Sequence, residues 1–332
     1  MFNNHNVNNG NITYMSKLLK IAIIGAGGIG CYYGARLMQQ GHEVAFIARG
    51  EHLKAMQVNG LHLTHTDFSF HEKVTAYSLE ELMCKHQPND FDIYLLCVKA
   101  TTTASIAENF KNWLNTYQQK IIIASLQNGV DNENILNSYL SDCTIIGGLA
   151  VRIGGHIVSP GHVEAKGIAQ LILGNWPEST SSNNTQLLTW SLLFKEADIP
   201  TEIVNNIRFE MWRKLIINNG VNPLSALTSL DTKTLSHHVL FGPIVYKLMK
   251  EVVDVAIADG ETLTLHDADE MFQLIKNFDP IKTSMLVDFE KGKSIELEEI
   301  CGAVIKRSKQ LSQSVPYTEM VYALLMHKLN NK

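Results

Sequence analysis

The sequence predicts an α/β protein in two parts, a doubly wound parallel sheet followed by an all-helical region. Three observations carry this expectation. A nearly continuous apolar run at 18–24 meets a glycine-rich turn and then a helical pattern. Further short apolar runs recur at 43–48, 93–98, 120–125 and 144–151, with helical stretches between them. From about Asn205 the strand-like runs stop, and helical periodicity takes over to the end of the chain.

Each element has a local reason. An uninterrupted apolar run such as 18–24 suits a parallel strand buried on both faces. Residues 31–40 read as a helix ending at Gly41, and 43–48 as the second strand, which makes one βαβ unit in about thirty residues. Residues 154–158 and 169–173 look like a hairpin added to the sheet, and 179–184 like a polar loop. A helix at 185–196 and a short strand at 201–204 would close the first domain. Beyond it the helical patterns fall at 207–221, 239–259, 267–277, 297–313 and 317–329. The expected domains are therefore 18–204 and 205–332. Residues 1–17 are expected to form a disordered extension. The first 14 are Asn-rich, without the basic start and apolar stretch of a secretory signal, and Met15 could serve as an alternative start.

Composition narrows the function classes. The chain has 332 residues, 45% of them hydrophobic and 18% charged, with a net charge of −5. That balance describes a soluble globular protein and argues against nucleic-acid binding, which uses a concentrated basic face. No apolar run approaches the roughly 20 residues that span a bilayer. Five scattered cysteines without a CxxC pair suggest reduced thiols in a cytoplasm. Thirteen histidines raise the question of a metal. His62 and His65 should point to opposite faces of a strand, however, and His237 and His238 have no ligand cluster in sequence. No metal is expected.

The turn Gly25-Ala26-Gly27-Gly28-Ile29-Gly30 has the GxGxxG spacing of a dinucleotide-binding loop of Rossmann type. Gly25 permits the tight turn, Gly27 lets backbone approach a pyrophosphate, and Gly30 permits close packing of helix on strand. A helix starting near Gly28 would present free N–H groups and a positive dipole end to phosphate. At the end of the second strand an NAD enzyme normally has an acid for the ribose hydroxyls. This chain has Arg49, whose planar, permanently charged fork suits a 2′-phosphate, so NADP(H) is the expected cofactor.

Residues 209–228 read FEMWRKLIINNGVNPLSALT. On a helix Lys214, Asn218 and Asn222 fall at i, i+4 and i+8, one polar stripe that could hold a carboxylate and a carbonyl. Pro223 should kink or end that helix, because it cannot donate to the carbonyl four residues back.

Taken together, these residues resemble the ketopantoate reductase (2-dehydropantoate 2-reductase) family over roughly 18–328. The resemblance rests on GAGGIG at 25–30, VKA at 98–100, LQNG at 126–129, WRKLIINNGVNPLSAL at 212–227, TSM at 283–285 and IELEEICG at 295–302, in matching order and spacing. It implies an NADP-binding Rossmann domain and a helical domain with the active site between them. It further implies NADPH-dependent reduction of 2-dehydropantoate to (R)-pantoate, a step towards pantothenate and coenzyme A. Lys99 and Asn128 would contact the cofactor, as would Val151 at the end of its strand. Lys214 would be the proton donor, Asn218 and Asn222 would bind substrate, and Ser284 would donate to the substrate carboxylate. Glu296 would contact cofactor or bound substrate and help place the lysine. The implied partner is a small 2-keto acid, and a homodimer is compatible with the family.

The chemistry makes the same demand. Hydride arriving at C2 leaves negative charge on oxygen, which needs a proton or a preorganised donor. Cys301 stands where the family often has Asn, Ile295 where Thr is frequent, and Thr232 about where some members have a substrate-reaching Asn. These departures leave the pocket for the alkyl end open. Two alternatives therefore stand beside the main reading: a related reductase of another branched 2-keto acid, and a non-catalytic NADP(H) sensor. A sensor would need only the first domain's residues.

Overall fold

The computed structural model describes residues 18–177 and 184–331. The expectations for 1–17 and for most of the polar loop at 179–184 lie outside the described residues. Ten strands form one sheet: β1 (Lys20–Ile24), β2 (Glu43–Ile47), β3 (Leu61–Thr64), β4 (Ser69–Glu72), β5 (Thr75–Tyr77), β6 (Ile93–Leu96), β7 (Ile122–Ser125), β8 (Thr144–Ser159), β9 (His162–Trp176) and β10 (Thr201–Ile203). Their spatial order is β4, β3, β9, β8, β7, β6, β1, β2, β5, with β10 beside β9. The run from β5 through β2, β1, β6 and β7 to β8 is parallel throughout, as in a doubly wound dinucleotide fold.

Strand β1 shows why its sequence is apolar at every position. Ala22 and Ile24 join one buried cluster, and Ile21 and Ile23 join the cluster on the opposite face. The first cluster continues without a break into the helical half through Met211, Trp212 and Leu215. One apolar core therefore links sheet and helices, and the sheet's C-terminal edge faces the helical half.

One expectation gains extent and two need correction. The hairpin pieces at 154–158 and 169–173 belong to a single long antiparallel hairpin, β8 with β9, paired from Ile145–Trp176 to Ser159–His162. The sheet is thus mixed, because two strands joined by a tight turn must run antiparallel. Pro223 does not end its helix, which runs Ile207–Thr228. Buried neighbours on both sides, Val221, Leu224 and Ala226, hold that segment in place despite the missing N–H. The pattern at 297–313 is not one helix: a π-helical turn, Glu298–Gly302, precedes the helix Ala303–Gln310. Two short helices, Thr232–His237 and Ser284–Glu290, fell in segments without a clear periodic signal.

The histidine pair separates as its spacing suggests. His62 stacks on His162 across β3 and β9, with ring centroids 4.2 Å apart, whereas His65 lies against Tyr32. An ion pair ties the two halves: Arg307 in the helical half bonds to Asp131, at the start of the helix after β7, and is braced within its own half by Asp259. No helix among the described residues is long and apolar enough to cross a membrane.

Candidate active site

The glycine loop is held against the ends of its neighbouring strands. The Gly25 and Ala26 amides both donate to the Ile47 carbonyl at the end of β2, at 3.1 and 2.8 Å. Gly25 has φ +107°, and a Cβ there would sit 2.6 Å from the Val98 nitrogen. Only glycine fits both that conformation and that contact. Around Gly27, by contrast, a Cβ would meet nothing within 4 Å. The loop is thus crowded beneath and open above, at the N-terminus of the helix Gly28–Gln39. This is the shape and polarity an anionic pyrophosphate needs. The structure adds a contact that the sequence pattern does not reveal: Gly28 packs on β8, where a Cβ would lie 2.0 Å from the Gly155 carbonyl carbon.

Arg49 lies two residues past the end of β2 and caps the helix Gly50–Asn59 with extended backbone. It is exposed and forms no ion pair among the described residues. Glu51, the nearby acid, is instead paired with Lys54 at 2.9 Å on the helix surface. The end of β2 therefore offers a free guanidinium rather than a carboxylate.

Lys99 and Asn128 follow β6 and β7 and reach across to the helical half. The Lys99 ammonium pairs with Asp288 at 2.6 Å and also donates to the Ser294 carbonyl. The Glu296 carboxylate accepts from the Ala100 amide through one oxygen and from the Asn128 side chain through the other, both at 3.0 Å. Asn128 is itself placed from behind, because the Asn132 amide donates to its carbonyl at 2.7 Å. The π-helical turn begins two residues after Glu296, and such turns often mark functional positions.

Lys214, Asn218 and Asn222 form one face of the helix Ile207–Thr228. The Lys214 ammonium donates to the Ala150 carbonyl at 2.7 Å, next to Val151 on β8. Burial lowers its pKa from 10.5 to about 8, while the nearby Glu296 carboxylate pulls it upward. Asn218 and Asn222 have no hydrogen-bond partner among the described residues, although Asn222 is buried. Their neighbour Asn219 faces the core, bonded to the Leu248 carbonyl and the Thr318 hydroxyl. The stripe thus separates two free amides from one that is used for packing.

Ser284 is exposed at the first turn of the helix Ser284–Glu290, where Thr283 rather than Ser284 caps the Leu286 amide. Asp288 lies one turn on, at i+4 from Ser284, so both share the face that meets Lys99. Sequence reasoning missed Asp288, although an acid at that spacing after TSM was a usable signal. It also missed the Ala150 carbonyl, for which no sequence signal exists. Thr232, one of the departures, is buried with its hydroxyl unpartnered.

A glycine loop open at a helix N-terminus, an exposed arginine just past β2 and a half-buried lysine bonded to β8 fit an oxidoreductase built on a dinucleotide-binding sheet. Residues 21–178 match the family model described as ketopantoate reductase PanE/ApbA, and residues 206–329 match that family's C-terminal model. The chain belongs to the ketopantoate reductase family. It is 28% identical over 298 residues to the 2-dehydropantoate 2-reductase of Archaeoglobus fulgidus, covering 89% of this chain and 92% of that one. A PanE/ApbA family ketopantoate reductase from Ralstonia eutropha superposes with a TM-score of 0.83 at 31% identity, covering 94% and 99% of the two chains. D-mandelate dehydrogenase in complex with NADH and anilino(oxo)acetate superposes with a TM-score of 0.84, again over 94% and 99%. At 22% identity that likeness concerns the fold alone.

Proposed function

We propose that this chain reduces 2-dehydropantoate to (R)-pantoate with NADPH, a step towards pantothenate and coenzyme A. The cofactor would lie on 18–204 and the substrate would be held mainly by 205–332. The observation that carries the reading is Lys214, a half-buried ammonium with a pKa of about 8, in line with the two unpartnered amides of Asn218 and Asn222. NADPH bound at the glycine loop supplies the hydride. Gly25 to Gly30 would hold its pyrophosphate and Arg49 its 2′-phosphate, with Lys99, Asn128, Val151 and Glu296 along the nicotinamide half. Lys214 gives its proton to the C2 oxygen as negative charge develops there. Asn218, Asn222 and Ser284 supply neutral donors to the substrate's carboxylate and hydroxyl, and none of them competes with Lys214 as an acid. Glu296 steadies Lys214 electrostatically while its two oxygens orient Ala100 and Asn128. These residues belong to both halves, which argues for a reductase over a cofactor sensor.

The substrate is tested by its terminal hydroxyl. A site built to hydrogen-bond a hydroxyl discriminates against analogues lacking it by up to about 10⁴-fold. Ketopantoate should therefore exceed 2-ketoisovalerate in kcat/KM by at least about 100-fold, and Asn222→Ala should remove much of that gap. Comparable turnover of the two acids by the wild-type protein would transfer the assignment to a related branched 2-keto acid reductase.

A further inference from the structure

The helix Gly50–Asn59 buries two of its side chains, His52 and Met56, on one face. Met56 is ordinary packing, but a buried imidazole must find partners for its ring nitrogens. His52 finds them in segments distant in sequence. The Gly161 amide, at the tight turn between β8 and β9, donates to His52 Nδ1 at 3.0 Å. The Gly161 carbonyl is occupied as well, accepting from the His62 amide at 2.9 Å. A backbone N–H can only donate, so Nδ1 is the acceptor and the neutral ring carries its proton on Nε2. Burial pushes the His52 pKa below its ordinary 6.5, in spite of a hydrogen bond to the Ala26 backbone, and so favours that neutral ring.

Nε2 lies 3.9 Å from the Cys31 sulfur, and the Cys31 thiol donates to the Ala26 carbonyl at 3.3 Å. Burial pushes the thiol pKa up, so it keeps the proton this bond needs. Every donor thus meets an acceptor in one direction: Gly161 N–H to Nδ1, Nε2–H to sulfur, and S–H to the Ala26 oxygen. Cys31 is completely buried, so the oxygen it reaches is turned beneath the glycine loop. That direction matters to an anion. A carbonyl oxygen carries partial negative charge, and one turned to the open side above Gly27 would repel a pyrophosphate. The same hairpin also packs directly on the loop, Gly155 against Gly28.

We propose that His52 and Cys31 are positioning residues for the cofactor, a chain that holds the Ala26 carbonyl beneath the glycine loop and leaves the open side to the pyrophosphate. The inference rests on the cofactor assignment made under Proposed function. Both side chains act through the Ala26 backbone, and the 2′-phosphate position at Arg49 lies outside their reach.

Two matched pairs of substitutions test this in calorimetric titrations with NADPH, NADH and 2′-AMP. Cys31→Ser keeps a group that both accepts and donates, whereas Cys31→Ala breaks the chain. His52→Gln keeps a donor near the Nε2 position, whereas His52→Asn keeps only the group near Nδ1. Hydrogen bonds between neutral groups contribute modestly. Cys31→Ala and His52→Asn should each weaken NADPH and NADH alike by about three- to ten-fold, with the preference between them retained. Cys31→Ser and His52→Gln should stay within about two-fold of wild type. 2′-AMP, which lacks a pyrophosphate, should bind every variant as it binds wild type, and KM for NADPH should rise while kcat at saturation holds. The Cys31 pair decides alone if a His52 variant does not fold. Wild-type dinucleotide affinity in Cys31→Ala, an equal loss in Cys31→Ser, or a loss that extends to 2′-AMP overturns the proposal and leaves the reductase reading intact. A wild-type protein that binds neither dinucleotide overturns both.

Discussion

If Lys214 is the proton donor, its removal has a signature that a merely structural lysine would not produce. The fall in pKa from 10.5 to about 8 corresponds to about 3 kcal/mol of relative destabilisation of the ammonium. Burial supplies most of that effect, and the Glu296 carboxylate keeps it from being larger. At neutral pH the group is still mainly protonated, yet far more willing to give up its proton than an exposed lysine. General acid catalysis is typically worth about 10² to 10⁴ in rate, so Lys214→Ala should lose that much kcat for ketopantoate while binding NADPH normally. Lys214→Arg separates charge from proton transfer. A guanidinium keeps the charge but cannot give up its proton in this range, so it should lose nearly as much kcat as alanine.

The pH dependence follows with a definite sign. Reduction needs the ammonium, so wild-type kcat should fall as pH rises through about 8, and pantoate oxidation, which needs the free amine, should rise through the same range. Stability moves independently: between about 8 and 10.5 the unfolded chain holds a proton that the folded chain has lost, so Lys214 makes folding more favourable as pH rises across that window. Steady-state rates followed by loss of NADPH absorbance across pH test the assignment. A Lys214→Ala variant that keeps more than about a tenth of wild-type kcat, or that retains the alkaline fall with its midpoint unmoved, refutes it.

Arg49→Ala should weaken NADPH by about ten- to a hundred-fold and leave NADH nearly unchanged, and equal losses in competitive titrations would remove its role as phosphate reader. Ketopantoate should bind more tightly with NADP(H) present than to the apoprotein, because the cofactor loop and the substrate stripe belong to different halves. Equal calorimetric affinities would count against that coupling. Glu133 is fully buried in the first turn of the helix after β7, and burial raises its carboxyl pKa to about 7, which the neighbouring Ser125 hydroxyl offsets only in part. The folded chain therefore keeps a proton that the unfolded chain releases above about 4.5, so stability is lost as pH rises from 4.5 through 7, by on the order of 3 kcal/mol. Glu133→Gln should flatten that decline in denaturant titrations at pH 5 and 8, and an unchanged slope would show that the carboxyl titrates normally.

The parts legible in the sequence are those whose chemistry is local. β1, the glycine loop and the first helix are contiguous, and each glycine's role depends on neighbours within a few residues or on the adjoining strands. The stripe of Lys214, Asn218 and Asn222 was legible because a helix converts spacing directly into a face. What it could not reveal is that Asn219, one position along, is the amide tied into the core by Thr318, nearly a hundred residues away. The long β8–β9 hairpin was seen only as two fragments. Its outer residues alternate between half-buried and exposed, so the β8 continuation lacks the continuous apolar run that marked the parallel strands. The packing of Gly28 on Gly155 belongs to that hairpin, and no local pattern encodes it. Of the two outcomes expected at Pro223, a kink or an end, the end does not occur, because buried packing on both sides carries the helix through.

The contacts between the halves explain why the site's polar residues are scattered along the chain. The sheet half contributes Lys99, Ala100 and Asn128 from the turns after β6 and β7, where backbone groups stand free at the C-terminal edge of a parallel sheet. The helical half answers with Asp288, Ser294 and Glu296, all within nine residues. Glu296 gives one oxygen to each of the two turns, and its charge also pulls the Lys214 pKa upward. A single carboxylate thus links the turns after β6 and β7 and acts electrostatically on the candidate acid. Shortening it to aspartate would leave its charge in place but withdraw the oxygens from Ala100 and Asn128. Length as well as charge is therefore required at this position, and a glutamate among several acids in IELEEICG carries a role that its composition alone could not distinguish.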